Sequence, residues 1–203
     1  GMLFQQIQEY IIGLGPPQLT AERKAVLHKI AQYITNEITQ NNAVHLNFIC
    51  THNSRRSQLA QIWAQTLSVY YGLPVQCYSG GVEVTAFNPN ALEALKAAGF
   101  LIERDENPEY SISFSKNHTP IKAYSKLYNC SDNPQQSFAA IMTCSEADEN
   151  CPLIHGAAFR ISLTYDDPKR FDGTGNETIG YQSTSNTIAT EIKYIFNLIL
   201  PST

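Results

Sequence analysis

The segment Cys50-Thr51-His52-Asn53-Ser54-Arg55-Arg56-Ser57 puts a thiol, two guanidiniums and several hydroxyls into one short stretch. A loop running from Cys50 to Arg56 and wrapped around a single anion brings the planar fork of Arg56 onto two of its oxygens. Basic residues opening a helix oppose its dipole, so the adjacent pair Arg55-Arg56 calls for a counter-anion. Backbone N–H groups at a helix start lack intrahelical partners, and together with the dipole they suit a tetrahedral oxyanion. The same positive end favours thiolate over thiol at Cys50, which makes it a nucleophile. Ser57 is spaced to hydrogen-bond that sulfur or to stabilise it as a leaving group. The plainer reading is a buried cysteine followed by two solvated arginines.

Two further segments carry chemistry. Cys144 and Cys151, in Cys144-Ser-Glu-Ala-Asp-Glu-Asn-Cys151-Pro152, supply a thiol able to attack sulfur at Cys50 and a second able to resolve the product. A disulfide needs Cα atoms about 4.4–6.8 Å apart, so this loop must move or unwind to serve both steps. The alternatives are two unrelated cysteines, or a metal site with His155, whose spacing misses the usual zinc patterns. Tyr165-Asp166-Asp167-Pro168 offers a carboxylic acid to protonate a leaving oxygen, although Asp-Pro is also a frequent turn starter.

These residues need a scaffold, and hydrophobic periodicity predicts one. Val26, Ile30, Ile34 and Ile38 mark an amphipathic helix over 18–40 with Thr20 as N-cap, set off from residues 3–12 by Gly13-Leu-Gly-Pro-Pro17. Strands are expected at 43–49, 74–78, 138–143 and 159–165, and helices at 57–70, 90–98 (stopped by Gly99) and 187–200. Residues 103–137 read as loop and short helix. Strands alternating with helices from 43 onward predict a parallel sheet, with the Cys50 segment at the carboxyl end of the first strand, where such sheets bind ligands. The expected division is an N-terminal helical extension at 1–42 and a catalytic domain at 43–203.

Composition narrows the function classes. The chain has 203 residues, 43% hydrophobic and 16% charged, with a net charge of −4 and 14 scattered basic residues. That supports a sizeable core and argues against a nucleic-acid surface, whose footprint is a basic patch. No apolar run reaches the length of a membrane span. Gly1 resembles an expression scar, and the start lacks the features of a secretory signal. With five cysteines, an odd number, the expectation is a cytoplasmic protein whose thiols are buried, catalytic or redox-active.

Together the segments resemble the low-molecular-weight tyrosine phosphatase superfamily, and within it the thioredoxin-coupled arsenate reductases. The family loop C-T-G-N-S-C-R-S has Cys50, Thr51, Asn53, Ser54, Arg56 and Ser57 in register here. Ser79-Gly80-Gly81 through Asn88-Pro89-Asn90-Ala91 looks like the S-A-G-T…N-P-N-A segment. Met142-Thr143-Cys144 and Cys151-Pro152 are similar to the redox pair, and Asp166-Asp167-Pro168 to the D-D-P loop.

The resemblance implies an α/β three-layer sandwich with a four-stranded parallel sheet. It implies Cys50 as nucleophile on arsenate or a phosphate ester, Asn53 shaping the loop, Arg56 binding the oxyanion, and Ser57 assisting the thiolate. Asp167, ahead of Asp166, is the implied general acid. In a reductase Cys144 attacks the Cys50 adduct, and Cys151 then attacks Cys144, leaving a disulfide for thioredoxin as external reductant. No bound cofactor or metal is implied.

Departures from the family pattern are His52 at the loop glycine, where a backbone conformation costly to other residues is expected, and Arg55 at a cysteine. Residues 103–137 are longer than in the family, and the helix before residue 41 has no counterpart. Ser79 apart, the reductases' cation-binding residues are not recognisable. Three functions follow: arsenate reduction through Cys50, Cys144 and Cys151; hydrolysis of phosphotyrosine through a phosphocysteine at Cys50; and a non-enzymatic oxyanion-binding module, suggested by His52 and Arg55.

Overall fold

The computed structural model describes residues 2–199. Its strands are β1 (Val44–Cys50), β2 (Val75–Gly81), β3 (Leu101–Arg104), β4 (Tyr110–Ser113), β5 (Ile121–Ala123), β6 (Phe138–Met142) and β7 (Ala157–Ser162). Its helices are α1 (Gln5–Gly13), α2 (Ala21–Thr39), α3 (Arg56–Tyr70), α4 (Pro89–Ala98), α5 (Ser145–Asn150) and α6 (Glu177–Ile199), with a 3-10 turn at Pro168–Phe171. Leu200, the expected end of the last helix, lies outside the described residues.

A four-stranded parallel sheet runs in the order β2-β1-β6-β7. Because both faces are covered, β1 and β6 are buried almost throughout, and alternation decides which layer each side chain serves. Leu46, Phe48, Ala139 and Ile141 face α1–α4 and α6, whereas Ile49, Phe138, Ala140 and Met142 face α5 and Tyr128. The result is the expected three-layer α/β sandwich. Its carboxyl edge carries Cys50 at the end of β1, and Cys144 lies two residues beyond β6.

The polar stretch after Gly99 is not the loop and short helix expected from its composition. It forms a second, antiparallel sheet in the order β3-β4-β5. Its strands are three or four residues long and mix apolar with charged positions, such as Glu103 and Lys122, so no sustained alternation announces them. Residues 124–133 then return to pack beneath the Cys50 loop. Gly99 ends α4 in the left-handed region at φ 116°, and Thr20 caps α2 by accepting from Arg23 N, both as expected.

The N-terminal helices are packed into the same core. Ile7 and Ile11 of α1 are fully buried, Tyr10 stacks on Trp63 at 5.2 Å, and Phe4 N donates to Phe114 O at 2.9 Å. From α2, Arg23 makes a bidentate pair with buried Glu191 of α6, at 2.9 and 2.8 Å, and its guanidinium lies over the Tyr165 ring. Among the described residues no helix is long and apolar enough to cross a membrane.

Candidate active site

The segment between β1 and α3 closes into a loop whose polar atoms converge on the Cys50 sulfur. Ser57 Oγ lies 2.9 Å from Cys50 Sγ and accepts from Asn53 Nδ2 at 2.8 Å, leaving its own proton free to point at the sulfur. Asn53 Oδ1 in turn accepts from Lys126 N and from Gln58 Nε2, each at 3.1 Å. Donors therefore run in one direction, from Lys126 and Gln58 through Asn53 and Ser57 to Cys50, and aligned hydrogen bonds of this kind strengthen one another in a buried setting. That arrangement stabilises negative charge on the sulfur.

Asn53 holds this place in the left-handed region, at φ 49°. The strained position expected at His52 is thus one residue further on, at an asparagine, which tolerates that conformation better than most residues. His52 keeps ordinary backbone geometry, and its carbonyl accepts from Ser125 Oγ at 2.8 Å and Thr85 Oγ1 at 3.3 Å. Its ring faces Glu83, with Nε2 3.3 Å from Oε2. Gly81 lies directly beneath the loop: a Cβ there would stand 2.8 Å from Thr51 O and 2.9 Å from Asn53 N. The Asn-Pro-Asn-Ala segment braces the far side, since Asn88 N donates to Ser54 O at 3.0 Å while the Asn88 side chain caps α4.

A cavity of about 120 Å³ opens above the loop, lined by Cys50, Arg56, Asp167 and Glu146 among others. Arg56 sits on its wall with Nη1 donating to Tyr165 O at 2.9 Å and Nη2 to Asp167 Oδ2 at 3.2 Å. Asp167 also caps the 3-10 turn by accepting from Lys169 N, so the Asp-Pro pair is both turn starter and pocket carboxylate. Asp166 is displaced to the outside, where its carboxylate is 3.8 Å from Arg170. Arg55 turns away from Arg56: Nε donates to Tyr181 OH at 2.9 Å, and Tyr181 OH donates to Asp172 at 2.8 Å. Its charge is therefore absorbed by a rim carboxylate.

Cys144 is buried beside this loop, its sulfur 3.4 Å from Thr51 Oγ1 and accepting from Ala147 N at 3.4 Å as the N-cap of α5. Cys151 is the half-buried C-cap of the same helix, and both sulfurs are free. Seven residues of helical rise span about 10 Å, beyond disulfide reach, so α5 must unwind before the two join. Among the described residues no three His, Cys, Asp or Glu side chains cluster as a metal site, so His155 does not complete one with the cysteines.

Cys50, Thr51, His52, Ser54, Arg55, Arg56 and Asp167 thus all line one cavity, Asn53 and Ser57 support it from behind, and Cys144 adjoins it. Cys151 stands apart at the far end of α5. Sequence reasoning missed the supports: Gln58, Lys126, Ser125, the Tyr165 carbonyl and Tyr181. Gln58 had a signal, since it follows Ser57 on the buried start of a helix yet is polar. The others are distant in sequence and gave none.

No family model matches this chain. Arsenate reductase 2 of Staphylococcus haemolyticus is 35% identical over 121 residues, 60% of this chain and 76% of the relative. The arsenate reductase of Bacillus subtilis is 32% identical over 130 residues, 64% of this chain and 78% of the relative. Among solved structures, a low-molecular-weight phosphotyrosine phosphatase from Vibrio cholerae superposes with a TM-score of 0.51 at 16% identity, covering 76% of this chain and 94% of that one. This fold likeness and the arsenate reductase relatives agree with the loop, the parallel sheet and the segment order described above. The chain belongs to the family of these arsenate reductases, on the fold it shares with the low-molecular-weight phosphotyrosine phosphatase.

Proposed function

We propose that the protein reduces arsenate to arsenite by a three-cysteine relay, with Cys50, Arg56, Cys144 and Cys151 as catalytic residues. The observation that carries this reading is the Cys144 sulfur 3.4 Å from Thr51 Oγ1, a second buried thiol against the residue that follows the nucleophile. A hydrolase has no use for a thiol there.

In this reading the loop from Thr51 to Ser57 cradles the oxyanion with its N–H groups, and Arg56 clamps it from the cavity wall. Cys50 Sγ attacks pentavalent arsenic, and one arsenic oxygen leaves as water after taking a proton, which Asp167 of the cavity wall supplies in this reading. The Cys144 thiolate then attacks Cys50 Sγ. The S–As bond breaks with its electron pair going to arsenic, which leaves as trivalent arsenite, and a Cys50–Cys144 disulfide remains. Unwinding of α5 brings Cys151 onto Cys144, freeing Cys50 as a thiolate and leaving Cys144–Cys151 oxidised. A dithiol such as thioredoxin, the reductant implied by the family resemblance, supplies the two electrons that reset it. This chemistry fits a cytoplasmic setting.

Hydrolysis of phosphotyrosine is the second reading, favoured by Asp167 in the same cavity as Cys50 and Arg56. Assaying the purified protein for thioredoxin-dependent NADPH oxidation with arsenate, and separately for aryl phosphate hydrolysis, separates the two. Cys50→Ser abolishes both activities, and Cys144→Ser lowers arsenate turnover at least about a hundredfold. Full arsenate turnover in Cys144→Ser contradicts the relay, and hydrolysis without reduction supports the phosphatase.

A further inference from the structure

Lys126 is 5% exposed, and among the described residues no carboxylate oxygen lies within ion-pair distance of its ammonium. Buried lysines are rare unless paired, because removing an ammonium from water is costly. The Nζ atom instead donates to two neutral oxygens, Tyr124 O at 3.2 Å and Ser79 Oγ at 3.4 Å, and lies 4.8 Å from the centre of the Tyr124 ring. Its place in the fold is specific. Ser79 is on β2 opposite Phe48 of β1, two residues before Cys50, and donates to Gln61 Oε1 at 2.6 Å. Gln61 is one turn of α3 beyond Ser57. The ammonium thus fills the wedge between β2 and α3 behind the Cys50 loop, while the backbone N–H of the same residue starts the donor chain to Asn53, Ser57 and Cys50.

We propose that the Lys126 ammonium is a resident cation of the oxyanion loop: a positioning residue whose charge favours an anion in the loop and whose loss of a proton weakens oxyanion binding. The proposal rests on the reading that the loop takes a tetrahedral oxyanion. Burial pushes Lys126 down from its ordinary value to about 8, so the switch falls within an accessible pH range. The charged and titratable groups around it are Tyr124, Cys130 and Asp132 on its own segment and Cys77 and Tyr78 on β2. Glu109 and Lys122 stand at the mouth of the same wedge. Asp132 reaches the ammonium's surroundings through the Tyr124 hydroxyl, which donates to it. Burial pushes the Cys77 thiol up, so it stays neutral as Lys126 titrates.

Sulfate keeps one charge state across the range and serves as the probe. Its affinity would be measured calorimetrically between pH 7.5 and 9.5 in Cys50→Ser, with and without Lys126→Arg or Lys126→Met. The parent is expected to lose about tenfold in affinity across the range, the order for removing one partly buried charge near an anion. Lys126→Arg keeps its charge and should hold affinity within about twofold, whereas Lys126→Met should bind weakly at pH 7.5 with no further loss. Any other group titrating in this range does so in every variant, so the arginine comparison isolates Lys126. If the arginine variant does not fold, the methionine comparison decides. Affinity independent of pH in the parent, the same slope in Lys126→Arg, or parental affinity in Lys126→Met at pH 7.5 overturns the proposal alone. Absence of sulfate binding in every form overturns the oxyanion reading and the proposal with it.

Discussion

The Cys144 sulfur rests 3.4 Å from the Thr51 hydroxyl, so a second buried thiol touches the residue that follows Cys50 in the loop. Parallel pairing of β1 with β6 produces this contact, with Ile49 opposite Met142, so that both strands deliver a cysteine to the same sheet edge. Cys50 continues into a loop and helix whose polar groups converge on its sulfur and line a small cavity. Cys144 instead caps a six-residue helix whose other end is Cys151. One thiol is held by a hydrogen-bond network and the other caps a short helix, an arrangement that suits the proposed disulfide relay.

Asp167 shares the cavity with Cys50 and accepts from Arg56, so its removal should separate binding from protonation. In Asp167→Asn, hydrolysis of an aryl phosphate is expected to fall about 10²–10⁴-fold, most for the poorest leaving group. Phosphate affinity should hold or rise, because Arg56 loses a competing carboxylate. Steady-state kinetics with a leaving-group series and phosphate inhibition constants check this; equal losses for good and poor leaving groups count against an acid role.

The Cys50–Ser57 segment was legible because its residue types make poor sense without an anion, and the strand before it and helix after it follow ordinary periodicity. Asp167 was legible by position, but its residue type alone left proton donor and turn starter open, and here the Asp-Pro pair does start a turn. The rest was hidden for physical reasons. Tyr181 and Arg55 are brought together only by the docking of α6 on α3, across 126 positions of sequence. Lys126 follows three strands too short for alternation to register, so its segment read as loop and short helix. The burden expected at His52 moved to Asn53 because only the fold decides which loop residue turns left-handed.

The N-terminal helix α2 has a task that its sequence did not show. Arg23 pairs with buried Glu191 and lies 4.9 Å from the centre of the Tyr165 ring, and the Tyr165 carbonyl receives Arg56. Arg23→Met strands a buried carboxylate and should cost about 3–5 kcal/mol, read by urea unfolding. Replacing both partners, Arg23→Met with Glu191→Leu, should recover most of that loss. No recovery would mean that Arg23 acts through packing on Tyr165 rather than through charge.

Lys126 should weaken the fold wherever it is charged. Its folded value near 8 lies below the ordinary 10.5, so between these values the unfolded chain binds more protons and stability from this group rises with pH. Below pH 8 the penalty is full, about 3 kcal/mol by the size of the shift. Lys126→Met is therefore expected to be more stable than the natural protein at pH 7, with the gap closing toward pH 10. Cys77, whose thiol burial pushes up, lowers stability above pH 9 in both proteins and cancels in the difference. Urea unfolding of both at pH 7, 8, 9 and 10 checks the sign; a gap that widens with pH contradicts it.

The relay itself is tested most directly by trapping its middle state. Cys151→Ser removes the thiol that resolves the Cys50–Cys144 bond, so one round of arsenate addition without external reductant should release one arsenite per protein and stop. Peptide mapping by mass spectrometry after alkylation should then find Cys50 linked to Cys144. Arsenite release with Cys50 and Cys144 both still alkylatable, or linkage of Cys50 to another cysteine, would contradict the account.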